Sequence, residues 1–283
     1  MAMRTDKTAM THLKWPFYYT AKIKRTPSFL IKQVFLEEFV IVLLAFSLFR
    51  ASFDLSVIVC LISLFAAMIS VYEIGYAEND RIGQSKEADP KLSKSFQDLD
   101  QFVIAPYSWG WAVIFTILGV LLLGDGNRAE ALSRIGLEDL GAGPTGMGAM
   151  VAIWLGMVAL CQAIFAIFNH ATLIWRVYTY VPLHISKYLA PIVFFEIGLV
   201  GAVLLAAHIV RTWAAYAVRR SGGDIDFLSS QLIRLVFFAM IVGFVSLATP
   251  ESGIWTAWQT WLIITFCALR AAPEVWRKMI KAQ

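Results

Sequence analysis

Residues 72–94 read Tyr-Glu-Ile-Gly-Tyr-Ala-Glu-Asn-Asp-Arg-Ile-Gly-Gln-Ser-Lys-Glu-Ala-Asp-Pro-Lys-Leu-Ser-Lys and hold the densest chemistry of the chain. Glu73, Glu78, Asp80, Glu87 and Asp89 are carboxylates interleaved with Arg81, Lys86, Lys91 and Lys94. An offset of seven returns to the same side of a helix, so Glu73, Asn79 or Asp80, and Glu87 fall near one face. Carboxylate oxygens with an Asn carbonyl are hard ligands that suit Mg²⁺, which takes one or two carboxylates and leaves its other positions to water and substrate phosphate. The neighbouring Lys and Arg would clamp phosphate oxygens. Together these residues make a candidate diphosphate site. A solvated loop whose charges pair with one another is the competing reading of the same residues.

The elements that must hold such a site follow from composition. Of 283 residues, 59% are hydrophobic and 16% charged, against about 25% charged in an average soluble domain. That is too few polar side chains to coat a soluble fold, so the solvent around much of the surface is lipid. A disordered chain, a coiled coil and an ordinary soluble enzyme are excluded. The net charge of +4 is small and dispersed, which argues against nucleic acid as a partner. Cys60, Cys161 and Cys267 each sit in an apolar run without metal-ligand spacing and read as small buried residues. No Walker loop, GxSxG, HExxH or CxxCH is present, which argues against ATPase, serine hydrolase, zinc protease and c-type haem chemistry.

Seven stretches are candidate membrane spans: residues 33–50, 55–76, 103–124, 146–170, 188–210, 231–249 and 253–270. Their length and Leu/Ile/Val/Phe content favour helices over barrel strands, which would alternate and run only about 10 residues. The fold class is therefore all-α, a polytopic transmembrane helix bundle. Residues 1–32 form a basic, aromatic segment suited to the membrane surface, 33–270 a single helical membrane domain, and 271–283 a short basic tail. Residues 125–145 read as a small amphipathic segment followed by a Gly/Pro break, and 171–187 as a polar, aromatic loop. The Lys/Arg distribution, tipped by the dense N-terminal tail, places the N-terminus and the loop at 77–102 in the cytoplasm.

Asn79-Asp80, just after a second span, resembles the first motif of the UbiA-type intramembrane prenyltransferases, Asn-Asp-x-x-Asp-x-x-x-Asp. This chain keeps Asn79 and Asp80, has Gly83 at the middle acid and Glu87 at the last, and follows with Pro90 and Lys91. Tyr72-Glu73-Ile74-Gly75-Tyr76 leads into it as in a divergent branch. Trp175-Arg176-Val177-Tyr178-Thr179-Tyr180 is similar to the family's Tyr and basic residues after the fourth span. Asp224 and Asp226 are the only candidates for the second Asp-rich motif. The resemblance implies a UbiA-like bundle of up to nine spans in a bacterial inner membrane. It also implies transfer of a prenyl group, or a related phosphate-activated group, at the cytoplasmic face. Asp80 and Glu87, with Asn79, would hold Mg²⁺. Arg81, Lys86, Lys91, Arg176 and Tyr180 would bind an isoprenoid or polyprenyl-phosphate substrate. The expectation from a different class is a non-catalytic membrane subunit of the same fold that contacts lipid or pigment, or anchors a membrane protein partner.

Four further features carry expectations. Glu196, read as lying mid-span, is a candidate functional acid. His208 is expected at a membrane boundary as an interface residue. His170 and His184 flank Arg176 and are expected at the interface, with phosphate contact as the alternative. Trp255, Trp258 and Trp261, three apart, are expected on one helical face as an interfacial belt.

Overall fold

Asp54 opens the longest helix. The chain is described here by a computed structural model, which covers residues 14–24, 26–47, 54–86, 92–97, 103–223 and 230–282. The Asp54 carboxylate accepts from the Ser56 N–H at 2.8 Å and from Asn127 Nδ2 at 2.6 Å, so it caps helix α1, Leu55–Lys86. The Asn127 bond, then those from Ser56, holds this carboxyl below the usual range. At 1.5 Å per residue, α1 is about 48 Å long. A hydrocarbon core is about 30 Å thick, so α1 has length to spare for the charged end around Asn79–Lys86.

Among the described residues there is no strand, and the chain divides into two compact units. The first comprises Met1–Val40 and Asp54–Thr172, the second Ile41–Phe53 and Leu173–Gln283. In the first, α1 packs against α2, Ala105–Leu122, and α3, Pro144–His170. The buried residues of α2 are mostly small or hydroxylated: Ser108, Ala112, Thr116 and Gly119, with Val120 beside them. Small side chains at this spacing let helix backbones approach where lipid supplies no hydrophobic drive. The opposite face of α2 exposes Ile114, Ile117, Leu121 and Leu122. Arg128, on the helix Asp125–Arg134, reaches back to the carbonyls of Val120, Leu121 and Leu123 and satisfies the end of α2.

The second unit contains α4, Leu173–Leu189; α5, Leu199–Arg220; α6, Ser230–Ala248; and α7, Trp258–Ala282. α5 packs on both α4 and α6, and α6 on α7. Outward on α6 lie Val236, Met240, Phe244 and Leu247. Apolar side chains turned outward in this density are what a lipid solvent requires. Among the described residues, five helices are long and apolar enough to cross a membrane: α1, α2, α3, α5 and residues 231–248 of α6.

Several boundaries differ from the sequence expectation. All but the first two residues of the stretch 171–187 belong to helix α4 rather than to a loop, and the helix continues past Pro182. The expected span 188–210 is broken: Ala190–Val193 is a 3₁₀ turn, and the helix restarts only after Gly198. Glu196 therefore lies between helices and is exposed, not mid-span. Pro191 in the 3₁₀ turn explains the interruption, since it cannot donate to a continuing helix. The 33–50 stretch is a wide π-helix, Leu30–Phe39, running into the α-helix Val40–Ser47; residues 48–50 lie outside the described residues. Trp255 sits in the turn before α7, with Trp258 and Trp261 in its first turn. All three are exposed, and Trp261 Nε1 donates to the Trp255 carbonyl at 3.1 Å. The short helix Asp125–Arg134 and the following Gly/Pro break match expectation.

One glycine fixes the α1–α3 approach. A Cβ at Gly75 would lie 2.1 Å from the Phe165 ring, which Tyr72 and Tyr76 flank at 4.4 and 5.7 Å between centroids. Gly75→Ala is expected to destabilise the first unit by about 1–3 kcal/mol, as overpacking does, read as a lowered Tm in detergent. Phe165→Ala on the same background should recover part of the loss by making room.

Candidate functional site

The acids of residues 72–80 meet partners within the first unit. The N-terminal segment docks on the second half of α1. Glu73 Oε2 accepts from the Phe17 N–H at 2.8 Å, and Oε1 from the Thr20 N–H at 2.6 Å. Two turns on, Asp80 Oδ2 accepts from the Tyr19 hydroxyl at 2.8 Å, and Oδ1 pairs with Lys24 Nζ at 2.5 Å. Lys24 also lies over the Tyr76 ring, 5.3 Å from its centroid. Glu73 and Asp80 are both buried. The seven-residue offset places them on one face, and that face binds one segment.

The segment folds to fit. Tyr19–Lys24 is a π-helical turn whose Tyr19 and Ile23 enter a cluster with Ala77, Phe96 and Ile104. Burial, then the Asp80 charge, pushes the Tyr19 phenol up, so it stays protonated and donates. Phe17 takes a left-handed φ of 65°, which costs a non-glycine residue roughly 1–2 kcal/mol. A hydrogen bond to a carboxylate contributes about 1.5–3 kcal/mol, enough for Glu73 to hold Phe17 there. The aromatics of the segment continue onto α2: Trp15 stacks on Trp111 at 6.1 Å, Phe17 on Phe115 at 6.0 Å.

The third acid, Glu78, faces α3. Asn169 Nδ2 donates to the Gly75 carbonyl at 2.9 Å and to Glu78 Oε2 at 3.2 Å, and His170 Nε2 lies 3.1 Å from Glu78 Oε1. His170, half of the expected interfacial pair, thus joins α3 to α1. Asn79 is partly buried, while Arg81 and Lys86 are exposed. Glu87, Asp89, Pro90 and Lys91 lie outside the described residues, as do Asp224 and Asp226.

A Mg²⁺ ion at these donors would meet occupied oxygens. Both Asp80 oxygens are engaged, one by an ammonium, so an ion there would have to displace Lys24. Glu73 is about 10 Å further along the helix, at 1.5 Å per residue. Among the described residues no three His, Cys, Asp or Glu side chains gather into a metal-binding group. Of the expected Mg²⁺ ligands, Asn79 and Asp80 are described and Glu87 lies outside the described residues.

Arg176 and Tyr180 belong to the second unit, where they open a different constellation. On α4, residues 180, 184 and 188 share a face, and their rings form a column. Tyr216 of α5 stacks on Tyr180 at 4.2 Å with 4° between planes. Tyr180 meets His184 at 4.2 Å, His184 stacks on Tyr188 at 5.4 Å, and Tyr188 meets the His208 edge at 4.9 Å. Arg176, Lys187, Arg211 and Arg234 are buried in the same unit. His208 is fully buried within α5, not at a boundary. Sequence reasoning missed Lys187, Arg211 and Arg234 altogether. The available signal was the four-residue spacing of Arg176, Tyr180, His184 and Tyr188.

Compared with protein-family models, with characterised proteins and with solved structures, the chain finds no match.

Two predictions follow from this geometry. Asp80→Ala leaves Lys24 largely buried without its carboxylate, a loss of about 3–5 kcal/mol for a buried pair. Hydrogen exchange over residues 17–24 should speed by at least tenfold, with the second unit unaffected. Joint replacement by Lys24→Met and Asp80→Leu should restore much of the protection. The second concerns His184, which lies on α4, outside the five candidate spans. Burial, then Lys187 and Arg211, holds its imidazole well below the ordinary histidine range. The unfolded chain takes up a proton below about pH 6.5 that the folded chain refuses. Stability should therefore fall as pH drops from 7.5 to 5.5. In phosphate-free detergent, the drop in Tm should be smaller for His184→Gln than for the wild-type chain.

Proposed function

We propose that this chain is a UbiA-like integral membrane protein of the bacterial inner membrane, with its N-terminus in the cytoplasm. In this reading it binds a phosphate-bearing isoprenoid or lipid as a non-catalytic subunit. The observation that carries the reading is the engagement of Asp80. Its two oxygens are held by Tyr19 and Lys24 of the chain's own N-terminal segment. An acid used in this way ties the fold together and neutralises a charge at the membrane boundary, where an unpaired one is costly. Glu73 and Glu78 have comparable duties toward the N-terminal segment and α3. The outward apolar faces of α2 and α6 give an amphiphile's tail a compatible surface.

The second reading is Mg²⁺-dependent prenyl transfer. It is favoured by the Asn79-Asp80…Glu87…Pro90-Lys91 spacing. The two readings separate in one experiment on the purified full chain. Binding of farnesyl phosphate and of farnesyl diphosphate would be measured with Mg²⁺ and with chelator, in the wild type and in Glu87→Ala and Asp80→Asn. The subunit reading expects binding that changes less than threefold with metal or with either variant. Metal-dependent binding lost at least tenfold in both variants would replace it with the transferase reading. Absence of binding to either compound would sink both.

A further inference from the structure

One outward face of α2 changes character along its length. Residues 107, 111, 114, 118 and 122 recur at helical spacing and share that face. Tyr107 and Trp111 occupy its first turns, and Ile114, Leu118 and Leu122 the rest. Tyr107, Ile114, Leu118 and Leu122 are exposed. From Trp111, about ten residues at 1.5 Å each carry the helix about 15 Å. That is half of a hydrocarbon core about 30 Å thick. The face therefore repeats the profile of a single leaflet, aromatic at headgroup level and aliphatic below it.

The N-terminal segment completes the aromatic end. Trp111 Nε1 donates to the Lys14 carbonyl at 2.8 Å, so this indole is oriented by the chain itself. Trp15 stacks on Trp111 and still remains 61% exposed. Phe115, 5.6 Å from Trp111 between centroids, extends the stack to Phe17. Lys14 is exposed, and its Nζ lies 5.8 Å from the centroid of the Tyr107 ring. Residues 14–24 hold Lys14, Lys22 and Lys24 and no acid. Among the described residues, only Lys24 of these three meets a carboxylate, that of Asp80. The surplus at the aromatic end is therefore positive. An anionic headgroup complements it, and an acyl chain fits the aliphatic face beneath.

We infer that Lys14, Trp15, Tyr107 and Trp111 form a surface site for an anionic phospholipid, with its acyl chain along Ile114 and Leu118 of α2. The inference rests on the membrane placement proposed above and adds which lipid touches the chain, and where. A zwitterionic lipid brings its own ammonium, which Lys14 repels, so the site discriminates by headgroup charge. One lysine near an anionic surface is worth about fivefold in affinity, and added salt weakens the preference.

The full chain, labelled with 5-fluorotryptophan, would be reconstituted in nanodiscs of phosphatidylcholine and phosphatidylglycerol in equal parts. Of the 10 tryptophans, Trp15 and Trp111 are assigned from the fluorine signals lost in Trp15→Phe and Trp111→Phe. A nitroxide high on the acyl chain is then introduced on a trace of either phospholipid. Broadening of the Trp15 and Trp111 signals should be about fivefold stronger with the phosphatidylglycerol label than with the phosphatidylcholine label. Lys14→Gln, at an exposed position, should bring the two labels to parity at both signals and leave the other tryptophans unchanged. Equal broadening by the two labels in the wild type overturns the site, and so does a preference that survives Lys14→Gln. Weak broadening by both labels would mean that a second copy of the chain covers the face, and overturns it too. These three outcomes leave the membrane placement standing. A chain that does not enter the nanodisc overturns the placement together with the site.

Discussion

A charge near lipid must bring its own partner, and the first unit is organised around meeting that condition for Asp80. The carboxylate lies on a helix long enough to pass beyond the hydrocarbon, yet it remains buried. Lys24 and Tyr19 close over it, and to reach it the N-terminal segment takes a π-helical turn. Glu73 receives two backbone N–H groups from the same segment, and the left-handed Phe17 sits at the first of them. Segment, helix face and aromatic contacts to α2 therefore form one cooperative arrangement. Loss of any one exposes groups whose solvation the others presuppose.

Much of this arrangement was legible in the sequence. The lipid class followed from charge scarcity, and the shared face of Glu73 and Asp80 from helical periodicity. The partners were not legible. Tyr19 and Lys24 lie 61 and 56 residues away from Asp80, and no local pattern encodes a pairing over such a distance. A run of acids beside a run of bases reads equally as metal ligands, a solvated loop or a latch. Only the side chains that close on each oxygen separate these options.

The second unit shows the opposite limit. Residues 171–187 mix aromatic, basic and hydroxyl side chains around Pro182, which suppressed the hydropathy signal that marks a span. Yet Arg176, His184, Lys187 and Tyr188 are buried along α4. The buried face is polar, so a rule that seeks apolar periodicity passes over it. Glu196 failed for a related reason. Hydropathy runs smoothly through Pro191 and Gly198, whereas backbone hydrogen bonding does not.

The division of the chain has a consequence in time. Residues 41–53 belong to the same compact unit as residues 173–283, with residues 54–172 between them. During synthesis at about 5–20 residues per second, roughly 6–24 s pass before their partners begin to emerge. Ile41, Val42, Ala45 and Phe46 are all completely buried in the finished fold, and throughout that interval the rest of their unit is absent. The first unit can close around α1 while they wait. One early helix of this protein is therefore made well before the rest of its own unit.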